Sequence, residues 1–485
     1  MKFAGLTSKY RSMPAQVKAS LWFLICSFMQ KGISALTTPI FTRLLSTTEY
    51  GQYGVFNSWS GIISVFVTLH LTAGVYTQGL IKFSDEREIF SSSIQGLTTT
   101  LTFAWTIVYL LFRDFWNSCF SLTTVQMLAM LVMMWASAAF GFWASEQRVK
   151  LNYKTLVAVT LCVSVLKPLV GIVLVTHLED KVTARILGLA LVELVCYSGF
   201  FVIQMRRGKR FFSKRFWKYA LAFNIPLVPH YLSQTVLGSA DRIMIEKMVG
   251  DSEAGIYTLA YSVSLVMTLF NSALMQTISP WVYQKIKDRK ENEIARVAYI
   301  GLAIIALVNL ALIALAPEIV RFFAPASYYD AIWVIPPVAM SAYFMFAYDL
   351  FAKFEFYFEK TKWIAAATMG SALMNVILNY IFIKQYGYKA AGYTTLICYI
   401  LYALFHYFCM QKVCKQYLDG SRVYDVRILI GMTAVFLILG FAGLALYNYL
   451  LLRYTVIVFA LAMLLAFRKK AQALVNMLIK IKKNP

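Results

Sequence analysis

Apolar runs of about 20 residues recur from one end of this chain to the other, separated by short polar segments, and that spacing predicts membrane-spanning helices. About fourteen are expected, over residues 17–41, 54–80, 91–112, 122–144, 155–176, 183–205, 219–240, 253–282, 297–316, 328–351, 363–383, 390–411, 428–450 and 454–467. The runs lack the short alternating pattern of an outer-membrane barrel. The predicted class is therefore all-α, a polytopic membrane protein.

Polar positions inside these runs fall into stripes. The first span carries Ser27, Lys31, Ser34 and Thr38 at i, i+4, i+7 and i+11, which is one helical face. The second carries Tyr53, Asn57, Ser60, Ser64 and Thr68, and the eighth carries Tyr257, Tyr261, Ser264, Thr268 and Asn271. The seventh adds His230, Gln234 and Asp241. In lipid such stripes form either hydroxyl-mediated packing seams or the wall of a wet cavity. Lys31, Ser27, Ser34, Thr38, Asn57, Gln234, Tyr257, Tyr261 and Asn271 are the candidate cavity residues.

The stripes sit within an internal repeat. Glu49, Gly51 and Tyr53 recur 204 residues later as Glu253, Gly255 and Tyr257. Ile81, Lys82, Glu86 and Glu88 recur as Ile286, Lys287, Glu291 and Glu293. Six predicted spans lie between the copies, an even number, so the repeat is parallel, as in many secondary transporters. The expected organisation is a six-helix lobe over 1–205, a basic cytosolic linker over 206–218, a second six-helix lobe over 219–412, and helices 13 and 14 with a basic tail over 413–485.

Composition agrees with a lipid environment, since 60% of the 485 residues are apolar and only 14% are charged. The net charge of +23 raises nucleic acid as a partner, but its distribution excludes that reading. With the N-terminus in the cytosol, 34 of the 46 Lys and Arg fall on cytosolic segments, 10 on outer loops and 2 inside spans. Both termini are then cytosolic. The first apolar stretch contains Gln30 and Lys31 and no small-residue cleavage site, so the first span itself is expected to direct insertion. The seven cysteines are scattered and imply neither disulfides nor a metal site.

Lys31 is the most informative single residue. It lies 13 residues after Lys18 and 12 before Arg43, roughly 18 to 20 Å from either boundary, too far to snorkel. Such an ammonium must face water, an anion or a carboxylate. Lys167 and Glu193, on consecutive spans, are expected to form a structural ion pair. His70 and His230 are candidate coupling or gating groups because histidine changes charge near neutral pH. Asp241 and Arg242, near the outer end of span 7, suit a local ion pair at a gate or a substrate contact. Asp349, Lys353 and Glu355 lie near the inner boundary, where an interfacial role is expected. No P-loop, nucleotide cradle or catalytic constellation is evident, so the protein is not expected to be an enzyme or to carry a cofactor.

The run from Pro39 to Tyr53, with Arg43, Glu49 and Gly51, resembles the first-helix exit of bacterial polysaccharide flippases. These are the O-antigen and capsule-unit translocases of the multidrug/oligosaccharidyl-lipid/polysaccharide exporter superfamily. Asn375 and Asn379, followed by Tyr386, Gly387, Ala390 and Ala391, match a second family segment, although Lys384 stands where the family often has Pro and Ala390 where it has Gly. The resemblance implies a flippase in the bacterial inner membrane. It would move undecaprenyl-pyrophosphate-linked oligosaccharide to the outer leaflet by alternating access, with ion coupling. Lys31 would attract the pyrophosphate, and the Tyr, Asn and Gln faces would contact sugars. Its expected partners are the lipid-linked oligosaccharide, membrane lipids and the polysaccharide polymerase machinery. A cation-coupled drug exporter or a peptidoglycan-precursor flippase would share the architecture. A membrane-embedded sugar transferase or ligase is the alternative from another class.

Overall fold

The computed structural model describes residues 14–466, and the basic tail expected at Arg468–Lys470 and Lys480–Lys483 lies outside the described residues. The chain is built from helices and divides into two compact units, Met1–Ser239 and Ala240–Pro485. Unit 1 contains α1 (Ala15–Leu44), α2 (Thr47–Thr68), α3 (Val75–Lys82), α4 (Arg87–Leu111), α5 (Arg113–Phe120), α6 (Thr124–Val149), α7 (Tyr153–His177), α8 (Lys181–Gly208) and α9 (Lys214–Asn224). The division falls within α10 (Val228–Met248). Unit 2 continues with α11 (Asp251–Ser264), α12 (Val266–Lys287), α13 (Ile294–Ala314), α14 (Ala316–Phe323), α15 (Ile335–Tyr357), α16 (Thr361–Tyr386), α17 (Ala390–Tyr417), α18 (Val426–Ala445) and α19 (Leu450–Ala466).

Each of the fourteen predicted spans corresponds to a helix or a broken helix. Eleven among the described residues are long and apolar enough to cross a membrane unaided. The shortfall has a physical cause. Spans 2 and 7 are each interrupted, at residues 69–74 and 225–227, and the polar stripe of span 2 lowers its mean hydropathy. The last helix, α19, has only 17 residues. Span 8 runs as one 37-residue stretch, Asp251–Lys287, through α11 and α12, with a single turn residue, Leu265, between them. Span 10 starts later than expected, because residues 326–333 form a 3₁₀ segment before α15 begins at Ile335.

The repeated Glu-x-Gly-x-Tyr motif proves to be a helix start. Ser46 caps α2 by accepting from Glu49 N–H, and Glu49 accepts from the Ser46 N–H at 2.7 Å, a capping box. In the second copy, Gly250 caps α11 at φ +149°, a conformation that favours glycine, and Glu253 again occupies the third helical position. Gly51 and Gly255 are both buried.

In unit 1, α8 packs against α6, α7 and α4; in unit 2, α15 and α17 form the centre, flanked by α16, α13 and α12. The apolar window of α15 is 83% buried, whereas those of α1 and α18 are 11% buried. The exposed apolar side chains of α1 and α18 are thus set to meet lipid, with the backbone groups satisfied within the helix.

The basic linker is docked onto α4 rather than free. Ser92 Oγ donates to Arg210 O at 3.0 Å, Trp217 Nε1 donates to Ser93 O at 2.8 Å, and Arg215 pairs with Glu86 at 2.7 Å. Gly96 permits the approach, since a Cβ there would stand 2.0 Å from Phe211 O.

Candidate functional site

Three groups of polar side chains lie within the spans of unit 1. The first is the face of α1, where Ser27, Lys31 and Ser34 are exposed and Thr38 is half-buried. Ser27 and Thr38 donate to backbone carbonyls one turn back, at 3.0 and 2.9 Å, which leaves the Lys31 ammonium as the charge on that face. Lys31 forms no ion pair with any described residue. Asn57 and Gln234 are also exposed.

The second group is an ion pair between consecutive long helices. Lys167 Nζ of α7 lies 2.5 Å from Glu193 Oε1 of α8, and Ser137 Oγ of α6 donates to Glu193 Oε2 at 2.6 Å. Glu193 is buried, so both of its oxygens are satisfied inside the unit.

The third group sits at the break between α2 and α3. Leu69 and His70 both adopt left-handed backbone conformations with φ of 48°, unusual for residues with a Cβ and costing on the order of 1 kcal/mol each. Fully buried Asn224 donates from Nδ2 to Leu69 O at 2.6 Å, and so holds the break against the end of α9. Tyr231 stacks on His70 at 4.9 Å and lies 5.9 Å from His230. His70 Nε2 and His230 Nδ1 are both buried without a hydrogen-bond partner.

Unit 2 gathers a fourth group around Asp241, which is 2% exposed. Tyr257 OH donates to Asp241 Oδ2 at 2.5 Å, Thr395 Oγ1 donates to the same oxygen at 2.8 Å, and Asn379 Nδ2 donates to Oδ1 at 2.6 Å. Asn379 Nδ2 also reaches Asn375 Oδ1 at 3.2 Å, and Thr394 donates to Asn379 Oδ1. A buried carboxylate costs several kcal/mol unless it is compensated, and three donors from three helices supply that compensation. The oxygens of Asp241, Asn375, Asn379, Thr394 and Thr395 are hard donors with a single formal charge, which suits a monovalent cation better than a soft metal. Among the described residues there is no cluster of three or more His, Cys, Asp or Glu suited to a metal ion.

Span 7 reaches beyond its expected end at residue 240, because α10 continues past Asp241 to Met248. Arg242 stacks over the Tyr261 ring at 4.5 Å, and the bonds to the Asp241 carboxylate come from Tyr257, Thr395 and Asn379. Tyr257 is fully buried, with its hydroxyl committed to Asp241. Tyr261 is half-buried, and Asn271 donates to Ala342 O at 2.8 Å.

Sequence reasoning overlooked Asn375, Asn379, Thr394 and Thr395 as site residues. The available signal was the i, i+4 pair of asparagines in an otherwise apolar span. It also overlooked Arg185 of α8, whose guanidinium lies between the rings of Phe41 and Tyr53, at 3.9 and 3.5 Å.

The sequence profile of the polysaccharide biosynthesis protein family matches residues 17–286, more than half of the chain. The chain belongs to that family. A MatE profile also matches, over residues 226–381. Both profiles contain Asp241 and Tyr257, the family profile contains Lys31, and the MatE profile reaches Asn375 and Asn379. Among curated relatives, the Lsg locus putative protein 1 of Haemophilus influenzae is 24% identical over 210 residues, covering 41% of this chain and 51% of its own. An uncharacterized membrane protein, MJ1375, of Methanocaldococcus jannaschii is 26% identical over 210 residues, covering 40% and 46%. The chain spans about half the length of the curated relatives it matches.

Solved structures establish how this polysaccharide biosynthesis family member folds. The lipid II flippase MurJ in an inward closed conformation matches with a TM-score of 0.71 at 14% identity, over 93% of this chain and 99% of that one. An inward-facing multidrug resistance MATE transporter of the MOP superfamily matches at 0.60 and 16%, over 81% and 96%. The protein therefore shares the polytopic all-α fold of these structures.

Proposed function

We propose that the protein is a flippase for undecaprenyl-pyrophosphate-linked oligosaccharide repeat units of the O-antigen or capsule type. It would carry them from the cytosolic to the outer leaflet of the bacterial inner membrane by ion-coupled alternating access. The observation that carries this reading is Lys31, an exposed ammonium deep in a span with no ion-pair partner among the described residues, within the segment matched by the polysaccharide biosynthesis family. An unpaired cation at that depth favours an anionic headgroup.

The physical problem supports the same reading. Each unpaired sugar hydroxyl taken into hydrocarbon costs several kcal/mol and a phosphate far more, so the headgroup needs a polar path while its polyprenyl tail stays in lipid. Ser27, Ser34, Asn57 and Gln234 offer such polar faces. Asp241, with its surrounding oxygens, is the proposed seat of the coupling cation, and His70 with His230 the proposed gating group. The MatE match over 226–381 favours a second reading, a cation-coupled drug exporter, for which the unpaired Lys31 charge is unsuited.

The test is the leaflet distribution of lipid-linked oligosaccharide in cells depleted of the protein, read with a probe that reaches only the outer face. Cytosolic accumulation reversed by re-expression is the expected result. An unchanged distribution in a strain with no other flippase would leave the drug-exporter reading.

A further inference from the structure

Glu355 and His406 stand out in unit 2 because nothing about the cation cluster or the polar faces uses them. His406 Nδ1 lies 2.7 Å from Glu355 Oε1, and both side chains are 0% exposed. Their second polar atoms, Glu355 Oε2 and His406 Nε2, are buried and have no hydrogen-bond partner. Glu355 stands two residues before the end of α15, and its side chain is enclosed against α17. Tyr348 stacks on the imidazole at 5.6 Å and Tyr402 meets it edge-on at 4.7 Å.

We infer that Glu355 and His406 form a proton-binding site, distinct from the Asp241 cluster, that takes up and releases one proton as the protein changes conformation. With neutral imidazole and ionised carboxylate the pair carries a net charge of −1 in a closed, largely aromatic setting, which is unfavourable. One added proton gives either imidazolium with carboxylate or imidazole with carboxylic acid, both neutral overall. The proton is held while the site is closed and can leave when water reaches Oε2 or Nε2.

The repeat supplies a control within the same chain. Glu146 and Glu355 are 209 residues apart, as are the first residues of α8 and α17, so the two glutamates occupy corresponding positions. Glu146 accepts from Lys150 and from Gln204 at 3.1 Å and lies 3.7 Å from Arg207, so its charge is permanently countered. Glu355 has only a histidine, a partner that itself exchanges a proton.

Other ionisable groups near the pair do not take over this role. On α15, Asp349 and Lys353 are paired with each other at 2.6 Å. On α17, Tyr402 shares a hydrogen bond with Thr368 of α16, and Cys409 and Lys412 follow His406 at i+3 and i+6. From α12, Tyr283 lies near Asp349. Among the described residues, none from α12, α13, α16 or α18 makes a hydrogen bond or ion pair with Glu355 or His406. The site lies about 16 Å along α17 from Thr395, so it can be tested separately from the cation cluster.

The experiment uses the full chain in lipid and pH-difference infrared spectroscopy, which reads the carboxylic C=O stretch of one protonated form and the imidazolium ring modes of the other. A band that grows on acidification, is absent in Glu355→Gln and is altered in His406→Gln is the expected result. A band unchanged in both variants would overturn the site. If Glu355→Gln fails to fold, Glu355→Asp keeps the carboxyl and should shift the band; an unshifted band again overturns it.

A second arm rests on the flippase reading. Proteoliposomes under an outside-acid gradient should translocate lipid-linked oligosaccharide faster than without a gradient, and both variants should fall to the ungradiented rate. A full response in the variants would overturn the link to transport. A pH-dependent band without any translocation, even in the unmodified chain, would support the site and refute the flippase reading instead.

Discussion

Replacing Asp241 tests whether its buried carboxylate couples a cation or merely ties helices together. Asp241→Asn keeps the size and removes the charge. Asparagine offers one acceptor oxygen where the carboxylate offers two: with that oxygen toward Tyr257 and Thr395, two charge-assisted bonds become neutral, each weaker by on the order of 1 kcal/mol, and Asn379 Nδ2 loses its acceptor at about 1–3 kcal/mol. Relief of the buried charge offsets a similar amount, so the net change in stability should stay within about 2 kcal/mol. Asp241→Ala differs, because it strands three donors at about 1–3 kcal/mol each and should unfold much of the protein. The assay is thermal unfolding of the purified chain in sodium, potassium and choline salts, beside the outer-leaflet measurement. A cation held by these oxygens stabilises the folded protein by about 2.7 kcal/mol at 100 times its Kd, a shift that Asp241→Asn should abolish together with translocation. An equal salt shift in the variant and the unmodified chain, or normal translocation by a stable Asp241→Asn protein, would refute the coupling role.

Lys31→Glu should abolish translocation while insertion and abundance persist, and Lys31→Arg should retain part of it; outer-leaflet labelling alongside quantitative blotting checks both. Lys167→Met should destabilise the protein by about 3 kcal/mol, because it leaves the buried Glu193 carboxylate without its cation, and Lys167→Met with Glu193→Leu should recover most of that loss. A double-mutant cycle on unfolding midpoints reads this coupling, and additivity would contradict it. Gly96→Ala should loosen the basic linker, since its Cβ would collide with the Phe211 carbonyl; faster proteolysis within residues 206–218 is the expected signature.

The helical spans and their repeat were legible because their causes are local. An apolar run of membrane length must satisfy its own backbone hydrogen bonds, so it becomes a helix whatever its neighbours are. The Glu49 and Glu253 motifs were visible for the same reason, since helix capping involves residues three apart. Lys167 and Glu193 could be matched because consecutive spans are usually neighbours.

Other features depended on how distant helices turn toward one another. Asp241 draws its donors from residues 257, 379 and 395, and Glu355 meets a histidine 51 residues away. Hydropathy cannot give the rotation of a helix that is apolar on nearly every side, so the direction of Tyr257, Asn379 or His406 is set only when packing chooses a face. The breaks at residues 69–74 and 225–227 belong to the same class. Asn224 reaches across to the Leu69 carbonyl that the broken ladder leaves open, a contact 155 residues apart in sequence that only the assembled lobe brings together.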